Sequence, residues 1–256
     1  MSADVLAALA RRGELRRAGE LAGFPDTTGL VVSPELAALL PWPRLRRGAT
    51  VAIAPGTTST GATSLLLALL AAVSHNGAWC ALVGAGDLSP VAAAQAGVSL
   101  SRLALVPDPA DRCEAVTGAL LDGVDVVAVQ LCAAPRPSDA QRLMARARRR
   151  DAVLVPFGPG AAGWPGADAA WRVDTVRWLG LRAGGGLLRH CELSVSSRIR
   201  GRRSQGAVWP YGRPEETRNV AVRRLAPVVR PTDHRDGPKG VRSARTRGAV
   251  SGLERR

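Results

Sequence analysis

Five short runs in the first 160 residues consist almost wholly of apolar side chains: ATVAIA (49–54), AWCALVG (78–84), RLALVP (102–107), VDVVAVQLC (124–132) and AVLVPFG (152–158). A strand with one wet face alternates polar and apolar residues. These runs do not, so they read as strands covered on both faces, as in a parallel sheet. The segments between them have helical character. An apolar helix is expected from about Gly61 to His75. SPVAAAQAG marks another, with Ser89 as N-cap, Pro90 at the first helical position and Gly97 at the exit. PADRCEAVTGALL (109–121) is a third, and PSDAQRLMARARRR a fourth, with Ser138 and Gln141 read as a capping box. Strand and helix in alternation define an α/β fold.

After residue 158 the pattern changes. WRVDTVRWLGL and GLLRHCELSVSSRI flank Gly184, Gly185 and Gly186, which predicts an antiparallel β-hairpin appended to the sheet. From Gly201 on, periodicity is lost. Residues 198–256 carry sixteen Lys and Arg against five Asp and Glu, a net of +11 out of +14 for the chain. The expected organisation is an N-terminal helical extension over 1–26, a core over 27–205 and a basic tail over 206–256 that lacks the apolar surface to fold alone.

Cys80, Cys113, Cys132 and Cys191 form no C-x-x-C pair, and His75, His190 and His234 are scattered, so no metal site can be drawn. The longest apolar run, from Ala62 to Val73, is short of the ~20 residues a membrane span needs. The expectation is a cytoplasmic protein without membrane contact, which its basic tail would allow to associate with the nucleoid.

APGTTSTGATSLLLALL (54–70) has the frame of a phosphate-binding P-loop, G-x-x-x-x-G-K-[ST], with Gly56, Gly61 and Thr63 in register. The lysine position holds Ala62, which supplies neither charge nor donor. The later apolar strand VDVVAVQL ends in Gln130, where an acid would help to hold Mg²⁺. Two readings follow: a phosphate cradle that has lost its charges, or a structural glycine turn in a doubly wound protein.

Between about residues 27 and 209 the order of these pieces resembles the RecA recombinase core. RLRRGATVAIAPGTTSTGATSLLLALL resembles its strand, P-loop and helix; VDVVAVQL resembles its Walker B strand; and WRVDTVRWL with ELSVSSRIRGR resembles its terminal hairpin. The resemblance implies a RecA-like parallel sheet flanked by helices, ending in an antiparallel β-hairpin. The departures matter as much. The P-loop lysine and the Walker B acid are missing, and Gly86 stands near the place of the family's catalytic glutamate. The connections that carry DNA-binding loops in the recombinase shrink to CAAPRPSDA and GPGAAGWPGADAA.

A short, degenerate core with an arginine-rich tail is most similar to the ImuA-type accessory proteins of the actinobacterial SOS mutasome. That resemblance implies a non-catalytic role in error-prone translesion DNA synthesis. Its partners would be a Y-family polymerase-like adaptor of the ImuB type and an error-prone replicative-type polymerase, with RecA or DNA as further candidates. There would be no catalytic residue and no cofactor, ATP and Mg²⁺ included. One alternative is a SulA-like cell-division inhibitor, a family that lacks the long basic tail. Another is an ATPase in which Arg46 or Arg47 replaces the missing lysine.

Arg198, Arg200, Arg202 and Arg203 precede Trp209 and Tyr211 in RIRGRRSQGAVWPYG. Arginines attract phosphate and aromatics stack on bases, which suits a single-stranded DNA or partner contact. Equally, the two aromatics would pack back on the core while the arginines stay solvated. The resemblance adds that Arg198 and Arg200 fall near basic residues that reach a neighbouring subunit's nucleotide in the recombinase.

Overall fold

A computed structural model of the protein describes residues 29–56, 61–182, 185–199 and 201–213. The expected extension over 1–26 and the tail beyond Arg213 lie outside them. In chain order the elements are α1 (Pro34–Ala37), β1 (Val51–Pro55), α2 (Ala62–His75), β2 (Cys80–Val83), α3 (Pro90–Gln95), β3 (Leu103–Val106), α4 (Cys113–Leu121), β4 (Val126–Gln130), α5 (Pro137–Arg150), β5 (Val153–Phe157), β6 (Ala169–Arg182), β7 (Gly185–Ile199) and β8 (Arg202–Val208). A 3-10 turn, Pro159–Gly163, follows β5.

All eight strands form one sheet in the order β3-β2-β4-β5-β1-β6-β7-β8. Neighbours among β1–β6 pair in parallel, and β7 runs against both β6 and β8. This is the α/β sheet with an antiparallel C-terminal end that the sequence implies.

The parallel strands show why they lack polar alternation: both faces are covered. Val51, Ile53, Cys80, Leu82, Val126, Ala128, Val153 and Val155 point into one core with Leu65, Leu66, Leu69 and Leu70 of α2. Ala52, Ala81, Val83, Val127, Val129 and Leu154 point into the other, against Leu143, Met144 and Ala147 of α5 and Val116 and Leu121 of α4. Each fully buried Leu or Val contributes about 1.5–3 kcal/mol through loss of water contact, so these two layers dominate stability.

The antiparallel strands are covered on one face only. Trp171, Val173, Cys191, Leu193, Val195 and Val208 continue the α2 core and meet Leu36, Leu39 and Leu40 of the α1 region. The Leu39 carbonyl accepts from Trp171 Nε1 at 2.9 Å and from Ser197 Oγ at 2.8 Å, tying the N-terminal segment across β6 and β7.

Three expectations need correction. β8 occupies Arg202–Val208, so the core boundary expected at 205/206 falls inside a strand; the expected hairpin forms from β6 and β7, and β8 adds a third antiparallel strand to it. The outer edge of β7 offers a full ladder, and the small Gly206 lets β8 lie close to the Leu39 side chain. The capping box at Ser138 does not form. Pro137 takes the first helical turn, Arg136 becomes the N-cap, and Ser138 Oγ donates to its neighbour Asp139 instead. The helix expected over 109–121 begins as a 3-10 turn, Ala110–Arg112, before α4. Ser89 caps α3 as expected, accepting from the Val91 N–H at 3.2 Å.

Candidate functional site

The P-loop frame lies at the C-terminal end of β1, where the sheet delivers Gly56 and α2 starts. Residues 57–60 fall outside the described residues, and the flanking glycines have a structural explanation of their own. A Cβ on Gly56 would sit 2.3 Å from the Val173 carbonyl oxygen of β6. One on Gly61, the N-cap of α2, would meet Val176 Cγ2 at 2.9 Å and both Leu193 Cδ2 and Val173 Cγ1 at 3.0 Å. Both glycines are therefore required for β6 and β7 to close against the turn. Ala62 is 4% exposed and belongs to the α2 core, while Thr63 is half-buried. A lysine at 62 would begin among leucines, where burial disfavours its charge.

Gln130 ends β4, half-buried, and pairs in register with Phe157. β5 separates β4 from β1, so the neutral amide stands two strands away from the turn. Arg46 and Arg47 are at the other end of the sheet. Arg47 Nη1 donates to Asp125 Oδ1 at 2.7 Å, and Asp125 also accepts from the Trp79 N–H at 2.9 Å. Arg46 lies over the Trp42 ring, 5.9 Å from its centroid. The five residues of β1 put about 16 Å between that end and Gly56. Neither arginine replaces the missing lysine. Among the described residues no cluster of three or more metal-ligating side chains occurs, the helix after the turn starts with Ala62, and β4 ends in Gln130.

Of the basic and aromatic residues read together from the sequence, those described are divided between the two faces of the sheet. Arg198 and Arg203 are direct cross-strand partners on β7 and β8, both exposed, on the face opposite the α2 core. Tyr211 is on the other side, packed against that core and stacked on Trp178 at 5.7 Å between centroids. Trp209 is half-buried, and its backbone N–H donates to Glu35 of α1 at 3.2 Å. Arg202, opposite Ile199, alternates away from Arg203, and Arg200 lies outside the described residues. Tyr211 follows the packed reading, and neither it nor Trp178 shares the face of Arg198 and Arg203.

Sequence reasoning missed the cleft that these two arginines line. Its volume is about 470 Å³, over the face of β6, β7 and β8 opposite the α2 core, and it reaches the end of β1. Ala52, Ala54 and Ala170 form the floor, Ala161 and Ala162 of the 3-10 turn form one wall, and Arg172, Ser196, Arg198, Arg203 and Gln205 line the other sides together with Trp171, Ser197 and Ser204. The signal was present in the sequence as the period-two alternation of Ser194, Ser196 and Arg198, which marks a solvated strand face. The wall is fixed by two glycines. Gly158 has φ +98, and a Cβ on Gly160 would come within 2.1 Å of the Ala133 carbonyl oxygen. The Gly160 N–H donates to Leu131 at 2.9 Å, anchoring the turn to the end of β4.

Three arginines of α5 form ion pairs with carboxylates. Arg146 and Arg150 both bind Asp122, at 2.5 and 3.0 Å, and Arg142 pairs with Glu114 and Asp139. Burial works against ionisation of Asp122, but the Arg146 and Arg150 contacts prevail and hold its pKa below the ordinary carboxylate value. Burial raises the thiols of Cys80 to about 12 and Cys191 to about 11.

Comparison with known proteins gives two matches. The chain is 38% identical over 108 residues to the uncharacterized protein Rv3395c of Mycobacterium tuberculosis, an alignment covering 41% of this chain and 53% of that protein. The chain thus spans about half the length of the curated relative it matches. Residues 38–166 match the family model of the MT3502 N-terminal domain, a stretch that takes in β1 to β5 and stops before β6. That match extends over half of the sequence, and the chain belongs to the MT3502 N-terminal domain family.

Proposed function

We propose that the protein is a non-catalytic, RecA-like accessory of error-prone translesion synthesis, supporting a polymerase complex through protein contacts. The observation that carries this reading is the turn between β1 and α2. It has the spacing of a nucleotide cradle, yet Gly56 and Gly61 are packed under β6 and β7 and Ala62 is part of the apolar core. A scaffold keeps such a turn for packing; an ATPase needs a cation there. The parallel sheet with an antiparallel end supports the same reading, since it is what the RecA resemblance implies. The partners are those implied by the ImuA resemblance: a Y-family polymerase-like adaptor and an error-prone replicative-type polymerase.

Calorimetry of ATP with Mg²⁺ against the full chain tests the non-catalytic half of the proposal. No heat at high micromolar nucleotide is expected, and saturable binding would refute it. Co-purification with the Y-family adaptor tests the other half. Loss of damage-induced mutagenesis on deletion is the expected phenotype, whereas cell filamentation on overexpression, with unchanged mutagenesis on deletion, would favour the SulA-like alternative.

A further inference from the structure

We infer that the cleft on the bare face of β6, β7 and β8 binds an acidic peptide segment of a partner protein, with carboxylates on Arg198 and Arg203 and an apolar side chain on the alanine floor. The argument begins with a mismatch inside the sheet. Arg198 and Arg203 are register partners, so two like charges face each other across roughly 5 Å, an arrangement that disfavours pairing. An acid in one of the two positions would turn the repulsion into a favourable pair. Among the described residues neither arginine has a carboxylate partner.

Arg172 adds a third cation to the same face, two residues from Ala170, the cross-strand partner of Arg198. The carboxylate closest in this cluster, Asp174, is already engaged. It accepts from Arg172 Nε and from Ser196 Oγ, each at 3.1 Å. That leaves two guanidinium forks facing a concave space, and such forks match carboxylates bidentately.

The floor decides between anions. Ala52, Ala54 and Ala170 present methyl groups, and Ala161 of the wall is buried, so the cleft is apolar below and cationic at its rim. A sugar–phosphate backbone gains nothing from a methyl floor; among the described residues the aromatic that lines the cleft, Trp171, is 1% exposed in the α2 core, and Trp178 and Tyr211 are on the opposite face. A peptide that alternates acidic and aliphatic residues satisfies both layers at once. The 3-10 turn that forms the wall is pinned by Gly158 and Gly160, so the shape exists before the ligand arrives. The inference rests on the scaffold reading only in taking the occupant to be a protein.

The test uses the full chain and three fluorescent probes: a capped dodecapeptide alternating aspartate and leucine, its asparagine–leucine counterpart, and a dodecamer of thymidylate. Polarisation should show saturable binding of the aspartate peptide and none of the asparagine one. Arg198→Ala with Arg203→Ala, both on an exposed face, should weaken the aspartate peptide by about tenfold or more. Ala170→Leu leaves the charge unchanged and fills the floor, so it should weaken that peptide comparably; a folded circular-dichroism spectrum qualifies the variant, and the arginine pair stands alone if it fails. Peptide binding that ignores these variants places the contact elsewhere in the chain and overturns the inference. So does thymidylate binding that is tighter than the peptide and falls with the same substitutions. Calorimetric binding of ATP would refute the scaffold reading while leaving the peptide result standing.

Discussion

The two faces of the antiparallel strands differ sharply. One is sealed: Trp171, Cys191, Leu193 and Val195 lie under the α1 region. The other carries Arg172, Ser196, Arg198, Arg203 and Gln205 around an open cleft. The glycine turn, which looks like the functional centre in the sequence, belongs to the sealed side. The open side looks like the start of a featureless tail. A motif defined by glycines reports where the backbone must approach something, and here that something is the protein itself. A polar face with unpaired like charges reports an unmet need.

The contrast predicts a large difference in thiol chemistry. With pKa values near 12 and 11, Cys80 and Cys191 are almost entirely protonated at pH 8. Iodoacetamide should label exposed Cys132 in the native chain at least about a hundredfold faster than either, with equal labelling after unfolding in urea. Native-state labelling of Cys191 at the rate of Cys132 would mean that the sealed face opens.

Next come the core substitutions. Trp171→Ala, at 1% exposure, should cost about 3–5 kcal/mol in urea unfolding, against under about 0.5 kcal/mol for Arg203→Ala on the open side. Equal costs would erase the distinction between the faces. Gly61→Ala must displace Val173, Val176 and Leu193, and should cost about 1–3 kcal/mol. Ala62→Lys should be destabilising by a similar amount and should not create ATP binding, which calorimetry on the same sample checks.

The smallest effect is electrostatic. The pKa of Asp122 is lowered in the folded chain, so its stabilising contribution is present above the ordinary carboxylate value of 3.8 and disappears as the pH falls through the depressed value. Asp122→Asn should therefore cost on the order of 1 kcal/mol or less at neutral pH, and the difference from the parent should vanish in acid. A difference that grows as the pH falls would reverse the assignment.

Much of the fold was legible in the sequence. Wholly apolar runs identified the parallel strands because helices on both faces leave no polar position in them, and Ser89 with Pro90 marked the start of α3 because capping chemistry is local. Strand order was not legible, since it depends on which helix crosses which face. β8 was missed for a related reason. Its sequence, RRSQGAV, has little apolar content, and it becomes a strand only because β7 offers an edge. The turn at 56–61 was read by its spacing, but the occupant of the space around its glycines is contributed by residues more than a hundred positions later. The cleft was missed for the same reason. Arg198 and Arg203 were picked out, yet only pairing across the sheet shows that they share a face with Arg172 and three alanines.

The carbonyl of Leu39 has a consequence for how the chain reaches its native state. Its two donors, Trp171 and Ser197, lie 132 and 158 residues downstream. On a ribosome, Leu36, Leu39 and Leu40 emerge long before the strands that cover them, and contacts so distant in sequence close slowly. The parallel layers can assemble while synthesis continues, but the α1 segment must wait with its leucines wet. A chain halted before β6 would carry that sticky patch permanently, so the last strands act as the step that makes the first leucines safe.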